Sequence, residues 1–181
     1  MTDNNHDSAA DHHDSEMHRA AANHPNVREA KADAEGIRIV RVMPAPPQLV
    51  FDAWTKPEHF AQWFGEYGSE LVDVAMDVRP GGKWTSLMLV EHEGQQLKLP
   101  FFGTYKEIDP PTHLALTFDD PEGSGNEELL TVDITDLGDG TSEMVFTQTG
   151  GNLSADEYPN AMAGSLVFFG RMEELLQRLR G

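Results

Sequence analysis

From residue 37 the chain takes on the two-residue period of a half-buried strand: Ile37-Arg38-Ile39-Val40-Arg41-Val42 interleaves apolar and basic residues. Pro44, Pro46 and Pro47 stop that ladder. Leu49, Val50, Ala53 and Trp54 then recur at helical spacing, with Pro47 suited to a first helical turn. Pro57 breaks this helix. A second short one follows over residues 58–64 with Phe60, Trp63 and Phe64, and Gly65 and Gly68 end it. From Glu70 the pattern predicts six strands near 71–76, 84–90, 96–108, 113–118, 129–134 and 144–149, with turns at Pro80-Gly81-Gly82, Glu93-Gly94, Asp109-Pro110-Pro111 and Gly138-Asp139-Gly140. Pro100 marks an edge or bulge within the third of these.

Past Gly151 the period changes once more. Ser154 and Glu157 stand at capping-box spacing, and Pro159 delays the regular helix to about Asn160. Met162, Leu166, Phe169, Met172, Leu176 and Leu179 then form one apolar stripe. Arg171, Arg178 and Arg180 suit the negative end of that helix. One amphipathic helix cannot shield both faces of a flat sheet of this size. The expected fold is therefore α+β: a curved antiparallel six- to seven-stranded sheet wrapped around the long C-terminal helix, with two short helices after the first strand.

Composition divides the chain. Residues 1–35 hold five of the eight histidines (His6, His12, His13, His18, His24) and no aromatic residue, so they are expected to form a flexible acidic tail, with residues 36–181 as the folded domain. The net charge of −18 is −5 from the tail and −13 from the rest. Such a surface repels phosphate backbones and anionic lipid heads, arguing against nucleic-acid and membrane-surface partners. The absence of cysteine excludes disulfides and thiolate chemistry. No stretch approaches a membrane span and no signal pattern opens the chain, which reads as cytoplasmic.

Five ordered blocks carry a resemblance. They are Ile39-Val40-Arg41-Val42-Met43-Pro44-Ala45-Pro46; Val50-Phe51-Asp52-Ala53-Trp54-Thr55 with Pro57-Glu58 and Gln62-Trp63-Phe64-Gly65; Asp77-Val78-Arg79-Pro80-Gly81-Gly82-Lys83-Trp84; Gly103-Thr104-Tyr105-Lys106-Glu107-Ile108 with Pro110-Pro111; and the C-terminal helix. Over residues 37–180 the chain resembles the SRPBCC (START-like) superfamily, and within it the activator of heat-shock-protein ATPase homologue family. The resemblance implies the helix-grip fold, with a hydrophobic pocket between sheet and helix in which members bind lipids or other apolar molecules. In one place the chain departs from the family: Gly164-Ser165-Leu166-Val167-Phe168-Phe169-Gly170 carries Phe where the family often has Trp, and an extra Gly.

Helix faces and strand parity nominate the pocket lining. The helices supply Phe51, Trp54, Trp63, Phe64, Met162, Phe169 and Met172. The strands supply Trp84, Met88, Phe102, Phe118 and Phe146. Met and aromatic side chains suit an adaptable apolar site. For catalysis, Asp73, Asp77, Glu91, His92 and His113 lie on or beside strands, but their spacing forces no acid–base pair and Asp77 suits the Arg79-Pro80-Gly81-Gly82 turn, so no catalytic residue is assigned. Asp11, His12, His13, Asp14 and His18 match no fixed metal motif, and the acidic loop 119–128 lacks calcium-loop order; neither metal nor cofactor is assigned. The leading expectation is a protein that binds an apolar small molecule or lipid. The alternatives are a stress-related, co-chaperone-like module for a protein partner, or an enzyme of the cyclase or hydrolase kind.

Overall fold

The computed structural model describes residues 7–65 and 67–181, with side chains described from Ser15. In chain order the elements are α1 (Asp7–Ala22), β1 (Val27–Asp33), β2 (Gly36–Met43), α2 (Pro47–Thr55), α3 (Pro57–Trp63), β3 (Glu70–Met76), β4 (Lys83–His92), β5 (Gln95–Asp109), β6 (His113–Asp119), β7 (Glu127–Asp136), β8 (Ser142–Gly150) and α4 (Tyr158–Arg180). The strands form one sheet in the order β1-β2-β8-β7-β6-β5-β4-β3 with every neighbouring pair antiparallel. Its concave face holds α2, α3 and α4, which is the α+β helix-grip arrangement with one more strand than the pattern predicts.

The additional strand comes from the segment read as a mobile tail, and that reading is corrected here. Asp7–Ala22 is helical, and β1 pairs with β2 from Asp33↔Gly36 back to Val27↔Arg41. Large apolar side chains were the signal sought, whereas β1 is held by main-chain bonds and by small contacts of Val27, Ala30 and Ala32 against the core. His6 and the side chains of Asp11, His12, His13 and Asp14 lie outside the described residues.

Pro100 sits where the pattern placed a strand edge. Residues 95–100 of β5 pair with β4, while the pairing of β5 with β6 starts at Tyr105. The α4 boundary moves forward by two residues, because Pro159 is tolerated in the first turn. Glu157 accepts a hydrogen bond from the Ser154 amide at 2.7 Å, one half of the expected capping box. On α4, Leu166, Phe169, Met172 and Leu176 are buried; Leu179, in the last turn, is exposed.

Two buried polar clusters lock α4 to the sheet. Arg41 is 1% exposed and points inward from β2, donating through Nε and Nη2 to Glu173 Oε2 at 3.2 and 2.6 Å. Glu173 Oε1 accepts from Asn26 Nδ2 at 2.7 Å, which ties the loop between α1 and β1 to the same pair. At the opposite end Glu128 accepts from the amides of Asn152 and Leu153 and from the Tyr158 hydroxyl, fixing the turn into α4. Burial, then the Glu128 charge, hold the Tyr158 hydroxyl above the ordinary tyrosine range.

Candidate functional site

The short helices bring the aromatic residues together. Pro47 and Pro57 each open a helix at its first turn, so α2 and α3 meet at Lys56. This corner sets Trp54 against Trp63, ring centroids 4.7 Å apart and edge to face. Trp63 donates its indole N–H to Ala53 O at 2.8 Å, which fixes α3 on α2. Phe60 and Phe64 stack 4.7 Å apart, and Phe64 reaches Phe101, Phe118 and Phe168 across the concave space.

Of the nominated residues, Phe51, Trp54, Trp63, Phe64, Trp84, Met88, Phe146, Phe169 and Met172 are buried in one core between sheet and α4. Phe118 and Met162 pack half-buried against it. Phe102 is a correction. Gly103 pairs with Trp84 on the inner face, so parity sends Phe102 outward with Thr85 and turns Phe101 inward.

The core is not entirely filled. A cavity of about 30 Å³, room for about one water, remains between α2, α3, the sheet and α4. Trp54, Trp63 and Phe64 wall one side, Phe118, Leu130, Phe146 and Gln148 the sheet side, and Ser165, Phe168 and Phe169 the α4 side. Leu130, Gln148, Ser165 and Phe168 were not nominated. Leu130 and Gln148 share strand parity with Val132 and Phe146, and Phe168 stands in the segment that departs from the family pattern, so the sequence held a signal for three of them. Gly164 and Gly170 bracket Phe168-Phe169, and a Cβ at either would meet open space or only the tip of Arg41. Interior glycines weaken a helix by roughly 0.5–1 kcal/mol each, so the intrinsic helix preference is low on either side of Phe168-Phe169.

A second space, a groove of about 340 Å³, lies between α1 and α4, with Met17, Ala20 and Ala21 on one wall, Leu166 and Val167 on the other, and the Arg41–Glu173 pair among its lining residues.

The acids and imidazoles named from sequence do not converge on the cavity. Asp73, Glu91 and His92 are exposed. Asp77 accepts from Arg79 Nε at 2.8 Å within its own turn. His113 lies on the outer sheet face between Asp133 (2.7 Å) and Glu107 (2.6 Å). Burial alone would lower its pKa, but the hydrogen bonds to Asp133 and Glu107 carry it above the ordinary value of 6.5. A raised folded-state value means that the protonated imidazole stabilises the fold fully below about pH 6.5, and this is lost as pH rises through the raised value. Urea midpoints followed from pH 6 to 8.5 are expected to fall across this window in the wild type and to run flatter in His113→Gln. Among the described residues no three His, Asp or Glu side chains come together in a metal-ligand arrangement, and no helix is long and apolar enough to cross a membrane.

Comparison with known proteins places this geometry. The sequence profile of the family described as Activator of Hsp90 ATPase homolog 1-like protein matches residues 44–177. Among solved structures, a protein from Chromobacterium violaceum is 28% identical, with 78% of this chain and 96% of that one covered and a TM-score of 0.66. A protein from Arthrobacter aurescens aligns at 19% identity and a TM-score of 0.71, covering 84% and 92% of the two chains. An AHSA1-like protein from Aeromonas hydrophila aligns at 17% identity and 0.61, covering 78% and 93%. The last two likenesses show the fold alone. No curated protein matches the chain.

Proposed function

The chain belongs to the family described as Activator of Hsp90 ATPase homolog 1-like protein, and from that premise we propose that it binds an apolar small molecule between the sheet and α4. One observation carries the reading: an unfilled space walled by seven aromatic residues with Leu130, Gln148 and Ser165, and with half-buried Phe168 at its side on the glycine-flanked segment of α4. Outward movement of Phe168 enlarges this space by about one ring. Burial of the ligand's apolar surface, at about 25 cal/mol per Å², supplies the affinity.

The test is a titration with fluorobenzene, an uncharged single ring of the size that this movement admits, followed through its fluorine resonance. The bound signal is expected to saturate at one molecule per chain. Ser165→Met fills the residual space from α4 and is expected to remove the response while the circular dichroism spectrum stays unchanged. Undiminished binding by that variant would place the ring elsewhere, the α1–α4 groove included, and overturn the proposal.

The net charge of −18 supports a second, compatible reading, association with a basic protein partner in the manner of a co-chaperone. Affinity for such a partner is expected to fall by about an order of magnitude between low and high salt. A salt-independent complex would count against it.

A further inference from the structure

We infer that the ligand of this cavity is uncharged and carries a hydrogen-bond acceptor, a carbonyl or ether oxygen, to which the Trp54 indole N–H donates. This rests on the binding reading above and adds the ligand's chemistry.

The three tryptophans of the chain differ in one respect. Trp63 donates to Ala53 O at 2.8 Å and Trp84 to Thr117 O at 3.0 Å. Trp54 is 3% exposed, and its Nε1–H has no partner among the described residues. A buried indole N–H ordinarily finds an acceptor, because leaving it unpaired forfeits its hydration without return. The ring cannot swing out to find one. It is held edge to face by Trp63 at 4.7 Å, stacked on Phe146 at 6.2 Å and tilted against Phe169 at 5.9 Å. Trp54 also lines the cavity, so the residue with the unpaired donor is one of the rings that wall this space. A donor fixed in this way is already oriented for a ligand, and little freedom is lost when an acceptor arrives.

The rest of the wall decides the charge. Among the described residues the lining contains no acid, no base and no histidine; its other polar groups are the Gln148 amide and the Ser165 hydroxyl. Ser165 donates to Ala161 O at 3.0 Å and keeps lone pairs for a donor. The nearby buried ions are engaged elsewhere, Arg41 with Glu173 and Glu128 with the Tyr158 hydroxyl and two amides. A carboxylate or ammonium brought into this wall would be desolvated without a counter-charge, which excludes fatty-acid anions and amines as tight ligands. A neutral ketone or ether meets both conditions. It exchanges a hydrogen bond to water for one to Trp54 and buries its apolar body among the rings.

Acetophenone, ethylbenzene and phenylacetate test this, since they share a ring and differ in carbonyl and charge. The readout is the three indole N–H resonances of the full-length protein, assigned with Trp54→Phe. Acetophenone is expected to move the Trp54 resonance downfield, with Trp63 and Trp84 as internal references. Ethylbenzene is expected to bind without that downfield shift, and phenylacetate to bind at least about tenfold more weakly than acetophenone. Trp54→Phe is expected to weaken acetophenone about fivefold and leave ethylbenzene unchanged. An equal loss for both ligands in the variant, the same indole response to both in the wild type, or phenylacetate binding as tightly as the ketone would overturn the ligand class and leave apolar binding standing. Failure of both neutral aromatics to bind the wild type would overturn the binding reading itself.

Discussion

Glu173→Ala is expected to lower the stability of the protein by about 3–5 kcal/mol, the range for removing one partner from a buried ion pair. Arg41 would be left 1% exposed with its charge uncompensated, since Glu173 Oε2 accepts from both Nε and Nη2. The remaining contact of its guanidinium, Nη1 to Leu166 O at 3.4 Å, is too long to replace them. Asn26 Nδ2 loses its acceptor as well, so the loop between α1 and β1 is released from α4. Against a typical total of 5–15 kcal/mol, a loss of this size is visible directly in a urea midpoint. Replacing both partners with apolar residues, Arg41→Met with Glu173→Leu, is expected to recover at least half of it, because the cost lies in the orphaned charge rather than in the missing attraction. A single variant within about 1 kcal/mol of wild type would mean that the pair is open to water.

Gly103→Ala is expected to cost about 4 kcal/mol or to prevent folding, at the upper end of what single substitutions do. A Cβ on Gly103 would overlap the Thr117 carbonyl oxygen, a main-chain atom of the neighbouring strand that cannot turn aside. The same space holds the Trp84 indole, whose Nε1 donates to that carbonyl. Relief requires β5 to part from β6 where Thr104 N donates to Thr117 Oγ1. Gly164→Ala is the internal control: its Cβ meets nothing within contact distance, and the change is expected to stabilise the protein by up to about 1 kcal/mol through helix propensity. Thermal melts of the two variants side by side read both signs. A folded Gly103→Ala protein with an unshifted midpoint would contradict the close strand crossing.

The features legible in the sequence were those written as periodic apolar side chains. Seven strands, both short helices and α4 were read within a few residues, since alternation and helical spacing act directly on burial. β1 was missed because Val27-Arg28-Glu29-Ala30-Lys31-Ala32-Asp33 has little to bury and is held through its backbone. Phe102 was given the wrong face because Phe101 and Phe102 are both apolar and nothing local breaks the tie; Gly103 opposite Trp84 does so in three dimensions. Arg41 was read with Arg38 as part of one alternation of apolar and basic residues, although residues three apart on a strand point to opposite sides. Its parity with Ile37, Ile39 and Met43, together with Glu173 beside Met172 on the apolar stripe, was the available signal for a buried pair. The aromatic enclosure could be anticipated as a set of rings. The missing acceptor at Trp54 could not, because it depends on where the Ala53 and Thr117 carbonyls point once the corner and the strand crossing have formed.

The claim at the centre of this account is that the space between sheet and α4 takes up an apolar molecule. Native mass spectrometry tests it most directly, on the protein as gently purified and again after equilibration with acetophenone. One apolar mass per chain is predicted, carried from the cell or supplied by the ketone, with its release on denaturation. A chain that shows only its own mass in both experiments would contradict it.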